Sequence, residues 1–489
     1  MKPWPKNPVI YEINTWVWLY ELTQKYKSPM TLASVPQKEW DSIADLKIDA
    51  IWLMGVWERS PTGINIALTK QNLLEEFRRV LFDYSSEDVV GSPYCVRRYV
   101  VDEHLGGPEG LAIARQMLAK RGIHLILDYV PNHVAPDHPW VSEHPEYFIQ
   151  GDTDDLNQYP DSFSQVNGKV FANGRDPYFP AWPDVLQLNA FHSGLRKDVI
   201  ETVYRIAEQC DGIRCDMAML VMNDIFKWTW GTRAGAKAET EYWKDVIQAV
   251  HKEYPDFLFM AEAYWDLEWI LQQQGFDYCY DKRLYDRLEH DSSESIRLHL
   301  LADLSYQNKL VRFIENHDEP RTASVFPAQK ERVAAMTIAT LLGAKLFHEG
   351  QFEGRKVRLP VFLGRRPDEI VDTDLQAFYY KLLKAIKKEG LLDGEWQLCE
   401  RNGWPDNQSY FNLIAWCWSN GKKRYLIIVN LSETNSQGLV RVPWDDIKGK
   451  VWEMNDVMSG EVFKRSGDEI SEQGFYVDLA PWGYHFLRL

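Results

Sequence analysis

A chain of 489 residues is too long for one ordinary hydrophobic core, so two or three domains are expected. Apolar residues at 45% and charged residues at 26% give the balance of a globular protein in water, and a formal charge of −16 disfavours nucleic acid or an anionic membrane as partner. Six scattered cysteines without a C-x-x-C pair fit free thiols in a reducing compartment better than a disulfide framework. The opening segment MKPWPKNPVIYEINTW lacks an apolar leader, and the longest apolar run, Ala334 to Leu342, is too short to span a bilayer. A cytoplasmic protein is expected.

In chain order, Val9–Trp16, Ala50–Val56, Ile123–Asp128, Gly212–Asp216, Phe257–Glu262, Phe276–Tyr280, Leu310–Glu315 and Lys345–His348 read as short buried strands. Helical patterns lie between them, at Gly110–Lys120, Ser193–Gln209, Glu241–His251 and Val333–Leu342. Alternation of this kind predicts parallel strands with crossover helices, and eight units fit a closed (β/α)8 TIM barrel with its chemistry at the C-terminal strand ends. Residues 134–190 are rich in Pro, Asp, Asn, Gly and aromatics without a helical period, which predicts a subdomain inserted after the third strand. The barrel is thus expected over residues 1–133 and 191–390. Beyond it, residues 391–489 carry NLIAWCWS, RYLIIVNLS, GLVRVPW and GYHFLRL, the pattern of a C-terminal antiparallel β-sandwich.

Four segments end barrel strands with polar or ionisable residues. They are LILDYVPNHV with Asp128, Asn132 and His133, DGIRCD with Arg214 and Asp216, FLFMAEAYW with Glu262 and Trp265, and VRFIENHDEPR with Asn316, His317, Asp318 and Arg321. Side chains alternate along a strand, so Arg214 and Asp216 face one way and Ile213 and Cys215 the other. A guanidinium beside Asp216 keeps that carboxylate ionised, as a nucleophile requires. Glu262 follows the apolar Phe257–Ala261 with no basic neighbour in sequence, and desolvation of that kind raises a carboxyl toward the range of a general acid. Singly, each residue also reads as a cap, a turn or an ion-pair partner. Four in order on one barrel are far harder to obtain by accident.

The order D-x-x-x-N-H, G-x-R-x-D, a strand-end Glu and N-H-D resembles glycoside hydrolase family 13, the α-amylase family, over almost the whole chain. The resemblance implies Asp216 as nucleophile, Glu262 as acid/base and Asp318 as transition-state stabiliser. It implies that Arg214, His133 and His317 bind the sugar, with Asp128 supporting Arg214. Tyr94 of GSPYCVRRYVVDEHLGG resembles the family's aromatic platform, and WPDVLQLN, with Asp184, resembles a short motif closing the inserted domain.

Two departures carry information. Met219 and Leu220 stand where many amylases have Lys-His, which implies a less polar acceptor side and disfavours a structural calcium. Arg321, in N-H-D-E-P-R, resembles the exo-acting α-glucosidase pattern, in which an arginine helps close a pocket. An aromatic wall from Trp140, Tyr178, Phe179 and Trp182 is expected beside it. No cofactor is expected. His133, Asp137, His138, Glu143 and His144 lack zinc-site spacing and are interrupted by prolines, so no metal is assigned there, and GDTDDLNQ reads as solvated. The expected activity is retaining hydrolysis of short α-glucosides or α-glucosides of small polyols. A transglycosidase or phosphorylase with the same triad is the first alternative, and a non-catalytic sugar-binding homologue is the second. The oligomeric state is open.

Overall fold

The computed structural model describes residues 2–489. Eight strands close a barrel: β1 (Val9–Asn14), β2 (Ala50–Met54), β3 (His124–Tyr129), β4 (Gly212–Cys215), β5 (Leu258–Ala261), β6 (Tyr278–Tyr280), β7 (Leu310–Arg312) and β8 (Ala344–His348). Every neighbouring pair is parallel, and β1 closes the ring against β8. These strands are buried on both faces, which explains their continuous apolar runs. Inside, Ile10, Trp52, Ile126, Leu258, Met260, Tyr280, Val311 and Leu346 form one cluster. Ile213 and Cys215 instead join the core beneath the helices, so Arg214 between them points inward, as the strand period requires.

Between β3 and β4 the chain leaves the barrel and forms a four-stranded antiparallel sheet from His133–Val134, Phe163–Val166, Lys169–Gly174 and Trp182–Gln187. His133 pairs with Gln187 at the base of this excursion, so the two ends of the insertion are tied at the barrel rim. After the helix Thr373–Glu389, a six-stranded and a three-stranded antiparallel sheet pack together. The strand Leu413–Asn420 shows why these two sheets sit on the barrel. Leu413, Ala415 and Cys417 face the core between the sheets, while Ile414, Trp416 and Trp418 join the core shared with the barrel helices. Trp418 Nε1 also donates to the Thr340 carbonyl at 2.7 Å. Among the described residues no helix is long and apolar enough to cross a membrane.

One turn at the C-terminal end of β2 bears directly on the rim. Gly55 has φ +76°, and its N–H donates to Asp128 Oδ2 at 2.9 Å. A Cβ there would stand 2.5 Å from Arg59 Nη2 and 3.0 Å from the Pro93 Cβ. Gly55→Ala is therefore expected to lower stability by about 1–3 kcal/mol, from a strained left-handed residue and a clash in a packed turn. The check is the urea midpoint against wild type. An unchanged midpoint would mean that the turn relaxes freely.

Candidate active site

At the C-terminal rim of the barrel a cavity of about 690 Å³ opens, within the usual range of small-ligand sites. Asp216, Met217, Glu262, Tyr264 and Asp318 line it together with Tyr94 and His133. The inserted subdomain contributes Phe179, Trp182, Asp184 and Val185, and the segment after β8 contributes Arg358, Val361 and Phe362.

Arg214 organises the floor. It is fully buried, with its guanidinium 5.2 Å from the Trp52 ring and 5.1 Å from the Tyr94 ring. Nη1 donates to Asp216 Oδ1 at 2.8 Å, and Nη2 lies 2.7 Å from Glu262 Oε2 in an ion pair. The absence of a basic neighbour in the sequence around Glu262 thus does not carry over to space. Strands β4 and β5 are adjacent, with Arg214 in register with Met260, two residues before Glu262, so one cation serves both carboxylates. Met217 turns the chain immediately after Asp216 with φ +40°, and this left-handed residue aims its N–H at Glu262 Oε2, 2.6 Å away.

Burial pushes the Glu262 carboxyl up to about 7, against the pull of Arg214 and with help from Asp216 and Asp318. Burial also pushes Asp216 above the ordinary aspartate range, and Arg214 opposes it through charge and a hydrogen bond. Asp318 behaves differently. Its side chain is 45% exposed, and the charge and hydrogen bond of His317 outweigh what desolvation it has and hold the carboxyl down at about 2. His317 lies between two anions, with Nδ1 2.5 Å from Glu12 Oε1 and Nε2 2.9 Å from Asp318 Oδ2. Burial opposes its charge, but Asp318 and Glu12 hold the imidazolium well above the ordinary histidine value. The Tyr94 hydroxyl also sits 2.6 Å from His317 Nε2. His133 is pushed down to about 3 by burial and is neutral, with its ring 5.1 Å from Trp182.

Asp128 is fully buried beside Arg214 on the neighbouring strand, its carboxylate taken by Trp52 Nε1 at 3.1 Å and the Gly55 N–H at 2.9 Å, so it stands by Arg214 without lining the cavity. Several other expected residues lie elsewhere. Arg321 does not line the cavity. Its Nη1 is bound to Glu315 Oε1, His348 Nδ1 and the Glu349 carbonyl at 2.7–2.8 Å, so the cation at the mouth is Arg358 instead. Trp265 turns away with φ +63° and packs on Tyr178 at 4.8 Å, leaving Tyr264 to face the cavity. Met219 and Leu220 are core residues, and Met217 is the one that borders the cavity. In the expected aromatic wall, Phe179 and Trp182 line the site, whereas Trp140 packs at a tilt against His138, 4.7 Å between ring centres. Among the described residues no three His, Cys, Asp or Glu side chains are grouped as metal ligands.

Glu12, Tyr264 and Arg358 went unforeseen. The only sequence signal for Glu12 is an acid inside the largely apolar VIYEIN, at a position facing the barrel interior.

Comparison with known proteins gives this barrel and its charged rim a family. A family model described as the Alpha amylase catalytic domain matches residues 37–356, and the chain belongs to this family of glycoside hydrolases. It is 24% identical to Alpha-amylase MalA of Haloarcula japonica over 89% of this chain and 57% of that one. It is 21% identical to the alpha-1,4-glucan:maltose-1-phosphate maltosyltransferase of Picrophilus torridus, over 78% of this chain and 58% of that one. The chain thus spans a little over half the length of each of these two relatives. The fold is that of the maltogenic alpha-amylase AmyB from Thermotoga neapolitana, with a TM-score of 0.70 at 19% identity over 99% of both chains.

The anion pair around His317 has a measurable consequence. Its folded pKa lies above the unfolded value of about 6.5, so its charge contributes stability that is fully present below that pH and lost as pH rises through the folded value. Glu12→Gln removes one of the two anions. The His317 ring, followed by 15N-histidine NMR, should then titrate at lower pH than in wild type, and kcat/KM should fall roughly tenfold or more. A ring whose titration does not move would detach Glu12 from the site.

Proposed function

We propose that this α-amylase-family enzyme is a retaining α-glycosidase acting on short α-glucosides or α-glucosides of small polyols. The observation that carries this reading is the division among three carboxylates at one rim, two of them buried and one partly open: one held at about 7, one tied to Arg214 through a single oxygen, and one held at about 2 by a histidinium. That division supplies an acid, a nucleophile and a permanent anion at one site. The bridging guanidinium supports a short separation between Asp216 and Glu262, as double displacement requires (about 5–5.5 Å).

In the first step Asp216 Oδ2, which Arg214 leaves unbound, attacks the anomeric carbon. The bond to the glycosidic oxygen breaks, and that oxygen takes the proton of Glu262. In the second step the Glu262 carboxylate removes a proton from water, whose oxygen attacks the same carbon and releases Asp216. Asp318 accepts hydrogen bonds from sugar hydroxyls and opposes the positive charge of the oxocarbenium-like transition state. Tyr94 offers its ring to the sugar, and neutral His133 donates to a hydroxyl. Neither step calls on a metal or cofactor.

A second reading keeps the same first step and replaces water by a sugar or phosphate. The likeness to a maltosyltransferase favours it, and product analysis with and without phosphate or glucose acceptors separates the two.

Asp216→Asn should abolish turnover with the fold intact, since an amide cannot form the glycosyl ester. Glu262→Gln should be inactive on poor leaving groups and retain more activity on glycosyl fluorides, which depart without a proton. Proton NMR in the first minutes should show the α-anomer released from an α-glucoside. Wild-type turnover by Asp216→Asn, or initial β-product, defeats double displacement.

Substrate size has its own support. Phe179, Trp182 and Val185 of the inserted subdomain line the cavity, as do Arg358, Val361 and Phe362 of the segment after β8. Disaccharides and small glucosides should show higher kcat/KM than maltooligosaccharides and soluble starch. Efficiency that climbs steadily with chain length would mean an open cleft.

A further inference from the structure

The two oxygens of Glu262 have different partners. Oε2 accepts the Met217 N–H at 2.6 Å and faces Arg214 Nη2 at 2.7 Å. Oε1 accepts from the Tyr264 hydroxyl at 2.9 Å. A backbone N–H and a guanidinium can only donate, so a proton on Oε2 would meet donor hydrogens on both sides. A hydroxyl donates or accepts according to its rotation. Oε1 is therefore the oxygen whose partner tolerates both states of the acid.

We propose that Tyr264 is a positioning residue that keeps the transferable proton of Glu262 on Oε1, accepting from the acid at rest and donating to the carboxylate once the proton has left. The inference rests on Glu262 being the acid/base. In the first step the proton passes from Oε1 to the glycosidic oxygen, and the Tyr264 O–H turns to bond the carboxylate that forms. In the second step a proton from water returns to Oε1, and the hydroxyl turns back. Tyr264 itself neither gains nor loses a proton over the cycle. Burial, with Glu262 and Asp318 nearby, holds its phenol well above the ordinary tyrosine value and so keeps it neutral.

The remaining titratable and charged groups facing this pair are Arg214 and Asp216 at the end of β4, Tyr280 on β6, and Asp318 and Glu319 beyond β7. All of them stay in place in Tyr264→Phe, so a change in titration there reports the lost hydroxyl. A hydrogen bond to a carboxylate is stronger than one to the neutral acid. Its removal costs the ionised form more, and the Glu262 pKa should rise.

The test reads Glu262 directly on the full chain. Carbodiimide with a small amine modifies protonated carboxyls, and peptide mass spectrometry follows Glu262 labelling against pH without any substrate. The labelling midpoint should rise by about one pH unit in Tyr264→Phe. It should return toward wild type in Tyr264→Gln, whose amide again offers both a donor and an acceptor. On a substrate with a poor leaving group, the alkaline limb of kcat/KM should move up with it, and kcat should fall about tenfold or more. A glycosyl fluoride should lose less than a substrate with a poor leaving group, because only the second step then draws on Glu262. A midpoint that stays or falls in Tyr264→Phe overturns the proposal, as does a Gln variant that behaves like Phe. The two readings fail separately. A raised midpoint together with a fully active Asp216→Asn would leave the Tyr264 pairing standing and remove double displacement. An inactive Asp216→Asn with an unmoved midpoint would do the reverse.

Discussion

The site depends on one buried cation. Arg214 sits inside the barrel between the Trp52, Tyr94 and Tyr280 rings, where an isolated guanidinium would be costly to desolvate. Its charge is tolerated because Asp216 and Glu262 meet it from two adjacent strands. In turn it prevents two close carboxylates from simply sharing one proton at high pKa. Both acids are raised by burial, and Arg214 opposes that rise in each.

A second charge system stands beside the first and works in the opposite sense. Glu12, His317 and Asp318 form a row in which the central histidine is cationic and Asp318 is strongly ionised. Arg214 balances two acids that must change state, whereas His317 fixes one that must not. The Tyr94 hydroxyl bonds to His317 and the Tyr94 ring lies over Arg214, so one side chain spans both systems. Packing and electrostatics are hard to separate at this point, because each aromatic ring also excludes the water that would screen these charges.

What was legible in the sequence follows from periodicity. The strand period places Arg214 inward and Ile213 and Cys215 outward, and all eight barrel strands appear as short apolar runs within a few residues of their observed ends. Partnerships between distant strands were not legible in the same way. Glu12 is 305 residues from His317, and nothing in VIYEIN distinguishes a buried ion-pair partner from an ordinary strand-end acid. Arg321 was read from a local pattern, but its direction is set by Glu315 and by the carbonyl of Glu349, which follows β8. Trp265 and Tyr264 exchange places because Trp265 and Asp266 both adopt left-handed backbone, a choice that no residue type there announces. Arg358 lies in an irregular segment with no period to read.

That segment leads to a further consequence. Phe362 and Leu363 are not held by the barrel core. They belong to a separate small apolar cluster with Phe77, Leu81 and Val89, and the Val90 N–H donates to the Phe362 carbonyl at 2.8 Å. One wall of the cavity is therefore built as an appendage, anchored by residues that take no part in holding the carboxylates. Substitutions around Phe77 and Leu363 can reshape the mouth while the acids keep their alignment. In evolutionary terms the enzyme separates the part that does chemistry from the part that selects what enters. A lineage could drift in substrate range through the second while the first stays fixed.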